Sequence, residues 1–526
     1  MAARIELDLR VGYALTRLLT LSLRTLGSPL DNVISYGPLD SVPLPETSRT
    51  DRPGPCQFPT LGFVVDRYFR VKNFQPEPFW GIKVMHTRKG INVNFSWMRH
   101  HLFDRMSVII LYERCLSAKL AKVVSVQEKP TKKWKPLPLT TVELQKAATR
   151  LLRMTGARAM QIAEGLYNKG FISYPRTETD RFDKGINLRA LVQKQTQDNR
   201  WGPFAQHLVD GAFQQPREGR HDDKAHPPIH PITYAAAQAL SAEEARLYEY
   251  VVRRFLACCS EDAKGMATDV QILYGEELFN AHGVIVLERN YLDVFVYENW
   301  TGTVELPKFE VGERFEPTEA MMNEGKTSPP GYLTEADLIA LMDANGIGTD
   351  ATMAEHIEKI QTRDYARTVD SQGRQVEQES DEDNGPPARG GRGGRGGRGG
   401  RGARGGRGGS RDAGTGSRKS IKVFVPTKLG VALIVGLDRM DFETSLGKPF
   451  LRKQMEQKMK EICDGRITKE AVLQHSIGQY RRVFSQCQER LDVLKAVSDN
   501  ISRIAALLTL VRHAESISSP IEIAGG

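Results

Sequence analysis

The sequence is poor in cysteine, has no long apolar run, and carries almost no excess of charge outside one segment. Its six cysteines, Cys56, Cys115, Cys258, Cys259, Cys463 and Cys487, form no C-x-x-C pair. That excludes a cysteine-rich zinc site and suits a reducing compartment. The apolar stretches Leu429–Leu437 and Ile504–Val511 fall far short of the ~18 residues of a membrane span, so no membrane partner is expected. A nucleotide site is missing as well. Gly325-Lys326-Thr327 could end a phosphate loop, but Ala320 stands where its first glycine is required, which excludes an ATP-driven motor of that class. The sole D-x-D, Asp381 and Asp383, sits in an acidic linker and offers no magnesium site. The amino terminus is arginine-rich like a mitochondrial address, but Glu6 and Asp8 count against one.

What is present is a chain of 526 residues, 40% hydrophobic and 26% charged. This is enough for about three or four domains with buried cores. The formal charge of +9 is concentrated: eight arginines and no acid lie between Arg389 and Arg411, in repeated Arg-Gly-Gly steps. The rest of the chain is therefore close to +1. Six acids and one arginine lie just upstream, between Asp370 and Asp383. The arginine–glycine tract cannot bury apolar area, and its guanidinium groups suit phosphates and stacked bases, with a plain linker as the alternative.

Residues 1–30 show a helical period through Leu7, Val11, Ala14, Leu15, Leu18 and Leu21. The proline-rich, polar stretch 38–55 reads as a loop or insertion. From Gln57 to about Val126, β-branched and aromatic segments such as VIILYERC predict strands. A capping pattern at Thr140 and Glu143 opens a helix, a second runs from Ala157 to Lys169 and stops at Gly170, and Phe171–Tyr174 is extended. Ala236–Cys258 reads as helix, and VQILY, GVIVL and YLDVFVY as strands. Two helices flank Gly346–Thr349, capped by Thr334 with Asp337 and by Thr349 or Asp350. Further helices are expected from Leu429 to Val493. The fold class is mixed α and β, multidomain, with helices at both ends and strands in two separated blocks.

Three segments could carry chemistry. In GFISYPRTETD (Gly170–Asp180), Tyr174 ends a short extended run and Arg176 lies two residues on, on the same side of an extended backbone. A tyrosine hydroxyl is a poor nucleophile at its ordinary pKa of about 10. It becomes a plausible one where a guanidinium stabilises its anion and also grips a phosphate. Spacing alone favours a half-buried tyrosine beside a surface arginine. HDDKAHPPIHP (His221–Pro231) gathers histidines, aspartates and a lysine. It could ligate a metal, present His226 and Lys224 to a phosphate, or be a solvated loop. Pro227, Pro228 and Pro231 keep His226 and His230 off one helix face. The helix amides near Gly348–Asp350, including Thr349, could receive a phosphate, while Met353, Ile357 and Ile360 there more often indicate core packing.

Taken together these segments resemble type IA DNA topoisomerases, most closely the eukaryotic topoisomerase III alpha kind. The matching stretches are ARIELDLRVGYALTR at Ala3–Arg17, ISYG with PCQFPTLGFVVDR, GFISYPRTETD, DKAHPPIHP and LYEYVVRRFLACCS. YLTEADLIALMDANGIGTDATMAEHIEKIQTRDYA and FVPTKLGVALIVGLDRMD complete the series. The resemblance covers roughly residues 3–37, 55–368 and 421–493. It implies a toroid of helical domains and a strand-rich arch, incomplete at the N-terminus. The expected order is a helical DNA-binding domain at 1–57, with 38–55 inserted, then arch strands at 58–137. A gate domain at 138–245 and a second set of arch strands at 246–328 follow. The helical domain resumes at 329–368 and 421–493, a disordered linker fills 369–420, and the tail 494–526 is unassigned.

By the same resemblance Tyr174 is the nucleophile that takes the 5′-phosphate, Arg176 grips the scissile phosphate and His226 lies near the cleavage site. Arg17, Gln57, Lys224 and Thr349 would contact single-stranded DNA. The family uses Mg2+, held by an acidic cluster in an amino-terminal Toprim domain that also supplies a general-acid glutamate. The chain starts where that domain should already have ended, and the zinc-binding tail of topoisomerase III alpha is not found in it, so a truncated chain is expected. A RecQ-type helicase and an OB-fold protein are the implied partners, RNA is a further ligand for the arginine–glycine tract, and the nucleus is the implied compartment, with the mitochondrion as alternative. The competing reading is a catalytically dead single-stranded DNA or RNA binder.

Overall fold

The computed structural model describes residues 2–23, 56–300, 305–348, 352–370, 422–439, 445–490 and 492. The insertion at 38–55, the linker beyond Asp370, the tail from 494 and Thr349 lie outside these residues. The chain begins with α1 (Ala2–Leu23) and α2 (Gln57–Lys72), then forms β1 (Pro78–Arg88), β2 (Ile91–Trp97), α3 (Arg105–Ala118) and β3 (Ala121–Lys133). A middle body follows, with α4 (Thr141–Ala147), α5 (Gly156–Asn168), α6 (Leu188–Lys194), α7 (Gly202–His207) and α8 (Ala242–Cys258). The strands resume as β4 (Ala263–Tyr274), β5 (Glu277–Glu288), β6 (Arg314–Phe315) and β7 (Glu319–Lys326). The last part comprises β8 (Leu333–Thr334), α9 (Glu335–Ala344), α10 (Met353–Thr362), β9 (Ala366–Val369), β10 (Val423–Pro426), α11 (Lys428–Arg439), α12 (Phe450–Cys463) and α13 (Lys469–Glu489). The mixed helix-and-strand class expected from the sequence is the one found. Among the described residues no helix is long and apolar enough to cross a membrane.

Seven strands form one antiparallel sheet in the order β6-β3-β4-β5-β2-β1-β7. β6 and β7 are its two edges, yet only residues 316–318 separate them in sequence. That link spans at most roughly 14 Å, so the sheet must curl until its edges nearly meet. Val84, Phe95, Val123, Ile272 and Phe279 fill its inside, closed by Val108 and Cys115 of α3.

The segment VIILYERC lies in α3, so the strand expectation is corrected there, as it is for α2. Asp104 caps α3 by accepting from the amides of Met106 and Ser107. Val108 and Cys115, two turns apart, bury one face on the sheet, and that packing outweighs the β-propensity of the run. YLDVFVY is also not a strand. It forms a short turn at Asn290–Asp293, and Tyr291, Leu292, Val294 and Phe295 enter the middle core. The second helix after Gly346 has Thr352 at its N-cap with no side-chain cap bond, in place of Thr349 or Asp350.

The first and last parts of the chain share one core, in which Leu7 and Val11 of α1 meet Leu61 of α2, Ile339 of α9 and Ile360 of α10. Two close backbone approaches hold this core. A Cβ on Gly62 would lie 1.9 Å from the Gly447 carbonyl oxygen, and one on Gly430 would lie 2.1 Å from that of Tyr365. A Cβ on Gly478, within α13, would meet nothing within 4 Å. Gly62→Ala and Gly430→Ala are therefore each expected to cost on the order of 3 kcal/mol, from overpacking against backbone that cannot swing aside. Gly478→Ala should gain up to about 1 kcal/mol of helix propensity. Thermal unfolding of the three variants checks both signs.

The middle body joins the sheet through two crossings, before α4 and after α8. Buried Lys135 ties them, its Nζ donating to the carbonyls of Gln215 and Ser260 at 2.7 Å each. Burial lowers the pKa of this ammonium, and its two carbonyl acceptors offset part of the cost of burying it.

A third contact is non-covalent and faces the helical body. The amide of Gly156, the first residue of α5, donates to Glu335 Oε1 at 2.7 Å, and a Cβ on Gly156 would lie 3.3 Å from that of Ala354. Burial pushes the Glu335 carboxyl up to about 7, with nearby Glu358 adding to the shift while the Gly156 amide and Lys422 oppose it. Its pKa is thus higher folded than unfolded, so its contribution is full below the ordinary value of 4.5 and is lost as pH rises through about 7. Between about pH 5 and about pH 8 this group should remove up to ~3 kcal/mol of stability. Glu335→Gln, which keeps the acceptor and removes the titration, should flatten that slope in urea unfolding.

Candidate active site around Tyr174

Tyr174 is held by the end of α5 and by a returning loop. Thr155 caps α5 by accepting from the Arg158 amide, and Gly170, at φ 77°, turns the chain out of the helix. The next residues then lie along the loop 228–232. Ile172 pairs with Pro231, the Ser173 amide donates to the His230 carbonyl at 2.9 Å, and the Ile232 amide donates to the Phe171 carbonyl at 2.9 Å. Ser173 Oγ adds a bond to the Pro228 carbonyl. These bonds fix the backbone up to the tyrosine. Its half-buried ring lies 5.3 Å from that of Tyr167, edge-on at 72°, and 4.6 Å from that of His226, tilted by 38°.

Arg176 follows on backbone pinned from the other side. Thr141, the first residue of α4, donates its hydroxyl to the Pro175 carbonyl at 2.7 Å and accepts from the Thr177 amide at 2.7 Å. The guanidinium reaches back to α5, donating to Glu164 Oε1 from Nε at 2.7 Å and from Nη2 at 2.6 Å. Glu164 and Tyr167 are three apart on one helix face, so α5 sets both the arginine and the tyrosine.

The loop carrying His226 is organised by aspartates. Asp223 Oδ1 accepts from the amides of Ala225 and His226 at 2.8 Å each, and its Oδ2 accepts from Thr177 Oγ1 at 3.1 Å. Burial raises this carboxyl, but the bonds from the two amides and from Thr179 and Thr177 together exceed it and leave the pKa lowered. Asp222 pairs with Arg181, which chiefly lowers its pKa. Asp180 pairs with His221 Nδ1 at 3.0 Å. Lys224 sits exposed at the tip with φ 55°.

The three histidines of this segment are thus parted. His221 faces Asp180, His226 faces Tyr174, and His230 is buried against Phe182 and Phe255, where burial lowers its pKa. The metal reading of the segment is not met. The acids are engaged by amides, hydroxyls and an arginine, and among the described residues no group of three or more ligating side chains could hold a metal ion. These residues do not fit Mg2+.

Of the residues singled out in the sequence, Tyr174, Arg176, His226 and Lys224 lie in the middle body. Arg17 is exposed on α1, with Nη1 3.3 Å from the Tyr13 hydroxyl. Gln57 is buried at the start of α2 with no partner for Oε1 among the described residues. Neither is brought beside Tyr174 by a described contact, and Thr349 lies outside the described residues. Glu164, Tyr167, Thr141, Thr177 and Asp223 were not singled out. For Asp223 a signal existed, since an aspartate two and three residues before Ala225 and His226 is the pattern of a side chain capping its own turn.

A family model described as DNA topoisomerase matches residues 1–378. The chain belongs to the type IA DNA topoisomerase family. DNA topoisomerase 3 of Schizosaccharomyces pombe is 43% identical over 495 residues, which is 94% of this chain and 70% of that protein. DNA topoisomerase 3-alpha of Homo sapiens is 43% identical over 483 residues, 91% of this chain but 41% of the human one. Full-length topoisomerase I of Thermotoga maritima matches in structure with a TM-score of 0.64 at 20% identity, over 92% of this chain and 68% of that one, and so shares the fold. The family and the topoisomerase III likeness expected from the motifs are therefore met.

Proposed function

We propose that this topoisomerase cleaves one DNA strand transiently through Tyr174, passes another strand and reseals the break. The observation that carries the reading is the Tyr174 ring set between Tyr167 and His226, with Arg176 two residues on and pinned at both ends. Arg176 grips the scissile phosphate and stabilises the charge that builds on it, and His226 offers a ring N–H to the same phosphate. The tyrosine oxygen forms a bond to phosphorus, the bond to the 3′-oxygen breaks, and the proton lost by the tyrosine is balanced by one gained at the 3′-oxygen. Reversal restores the strand, so no nucleotide hydrolysis is required.

In this reading the middle body is the gate, moving about the Lys135 crossings, and the curled sheet is the arch. The substrates are negatively supercoiled DNA and the intermediates of recombination, repair and replication, in the nucleus, with Mg2+ as the family's cofactor. Arg17, Gln57, Lys224 and Thr349 contribute to single-strand binding. The arginine–glycine tract adds DNA or RNA affinity, and a RecQ-type helicase and an OB-fold protein are the partners. The test is to quench the full chain with denaturant on a 3′-labelled single-stranded oligonucleotide in the presence of Mg2+. A covalent labelled band is expected. Tight binding with no such band would favour the non-catalytic binder.

A further inference from the structure

Asp223 bonds both its own loop, which bears His226, and the extended segment that bears Tyr174 and Arg176. Its Oδ1 accepts the amides of Ala225 and His226, and its Oδ2 accepts the hydroxyl of Thr177, the residue after Arg176. Its own amide donates to Thr179 Oγ1 at 3.0 Å, which closes a second link between the same two segments. The Thr177 hydroxyl lies 3.4 Å from the His226 carbonyl, and Thr177 is itself anchored to Thr141 of α4. The turn it holds is an unfavourable one, because Lys224 takes φ 55° with a side chain present. Without the carboxylate two amides lose their acceptor and that turn loses its reason to persist.

We propose that Asp223, through Thr177, is a positioning residue that sets the His226 ring against Tyr174 for the cleavage reaction. This rests on the reading of Tyr174 given above. The carboxylate does so chiefly by hydrogen bonds. Its Oδ2 is 3.8 Å from His226 Nδ1, and the two side chains are 23% and 42% exposed, so the direct charge attraction is weak. An amide at position 223 could still accept the two backbone N–H groups, whereas a methyl could not.

The experiment compares Asp223→Ala, Asp223→Asn and Thr177→Val in the full chain. Single-turnover cleavage should fall about 10- to 100-fold in Asp223→Ala, and Asp223→Asn should recover to within about threefold of the parent. Affinity for single-stranded DNA should stay within about twofold in both. In a His226→Ala background, Asp223→Ala should cost little more, since both changes remove the same ring from its place. A further tenfold loss in that background would show that Asp223 acts elsewhere and would overturn the proposal.

A second readout needs no cleavage. In histidine-labelled protein the His226 ring resonance, identified by its loss in His226→Ala, should shift in Asp223→Ala and Thr177→Val and hold in Asp223→Asn. An unmoved resonance in Asp223→Ala overturns the positioning role. A parent chain that forms no covalent adduct but shows the expected shifts overturns the cleavage reading and leaves the loop geometry standing.

Discussion

Tyr174→Phe should abolish the covalent adduct, by a factor of at least about 10³, because the phenyl ring has no oxygen with which to bond phosphorus. The change is a clean one in this site. The ring keeps its edge contact with Tyr167 and its tilted contact with His226, and the hydroxyl has no bonding partner among the described residues. Stability should therefore hold within about 0.5 kcal/mol, as for a change that removes no packing. Affinity for single-stranded DNA should change by less than about twofold, so binding and cleavage come apart in one variant. A variant that still formed adduct at a reduced rate would place the nucleophile on another residue, and Tyr167, 5.3 Å away, is the nearest tyrosine ring.

Arg176→Ala is expected to lower cleavage about 10²- to 10³-fold, the usual cost of removing a group that stabilises a developing oxyanion. The physical reason is preorganisation. Glu164 and the Thr141 bonds hold the guanidinium before DNA arrives, so little ordering remains to be done in the transition state. Arg176→Lys should recover part of the rate, since it restores charge but not the planar fork that binds phosphate through two N–H groups. The loss should appear in the cleavage rate more than in DNA affinity. An equal loss in both would make Arg176 a ground-state phosphate contact only. Stability should change little, because the Glu164 carboxylate left behind is more than a third exposed.

How much of this was legible beforehand differs between the reacting groups and their supports. Tyr174, Pro175 and Arg176 are adjacent in the chain, so spacing alone could place the two side chains on one side of an extended backbone. Glu164 lies 12 residues before Arg176, and Asp223 lies 46 residues after Thr177. Those pairs meet only because α5 turns out at Gly170 and the proline-rich loop returns along Phe171–Ile172, which no local pattern encodes. The histidines show the same limit. His221, His226 and His230 look like a set in sequence, but three prolines turn the backbone so that one faces an aspartate, one the tyrosine and one the core.

The fold was readable where period and caps agreed. The helix α5, the Thr334–Asp337 cap of α9 and the buried Leu7–Val11–Leu15 face of α1 carry their own signals. It failed at α3, where β-branched residues sit in a helix because Val108 and Cys115 two turns apart match the sheet surface. It failed again at β10, whose four residues join β8 and β9 only after a long intervening tract has been passed.

The central claim is that Tyr174 oxygen carries the DNA during cleavage. It is tested most directly by digesting the trapped adduct with protease and nuclease and mapping the modified peptide by mass spectrometry. A nucleotide 5′-phosphate on Tyr174, and on no other residue, is the result predicted. Modification at Tyr167, or an adduct that persists unchanged in Tyr174→Phe, would contradict it.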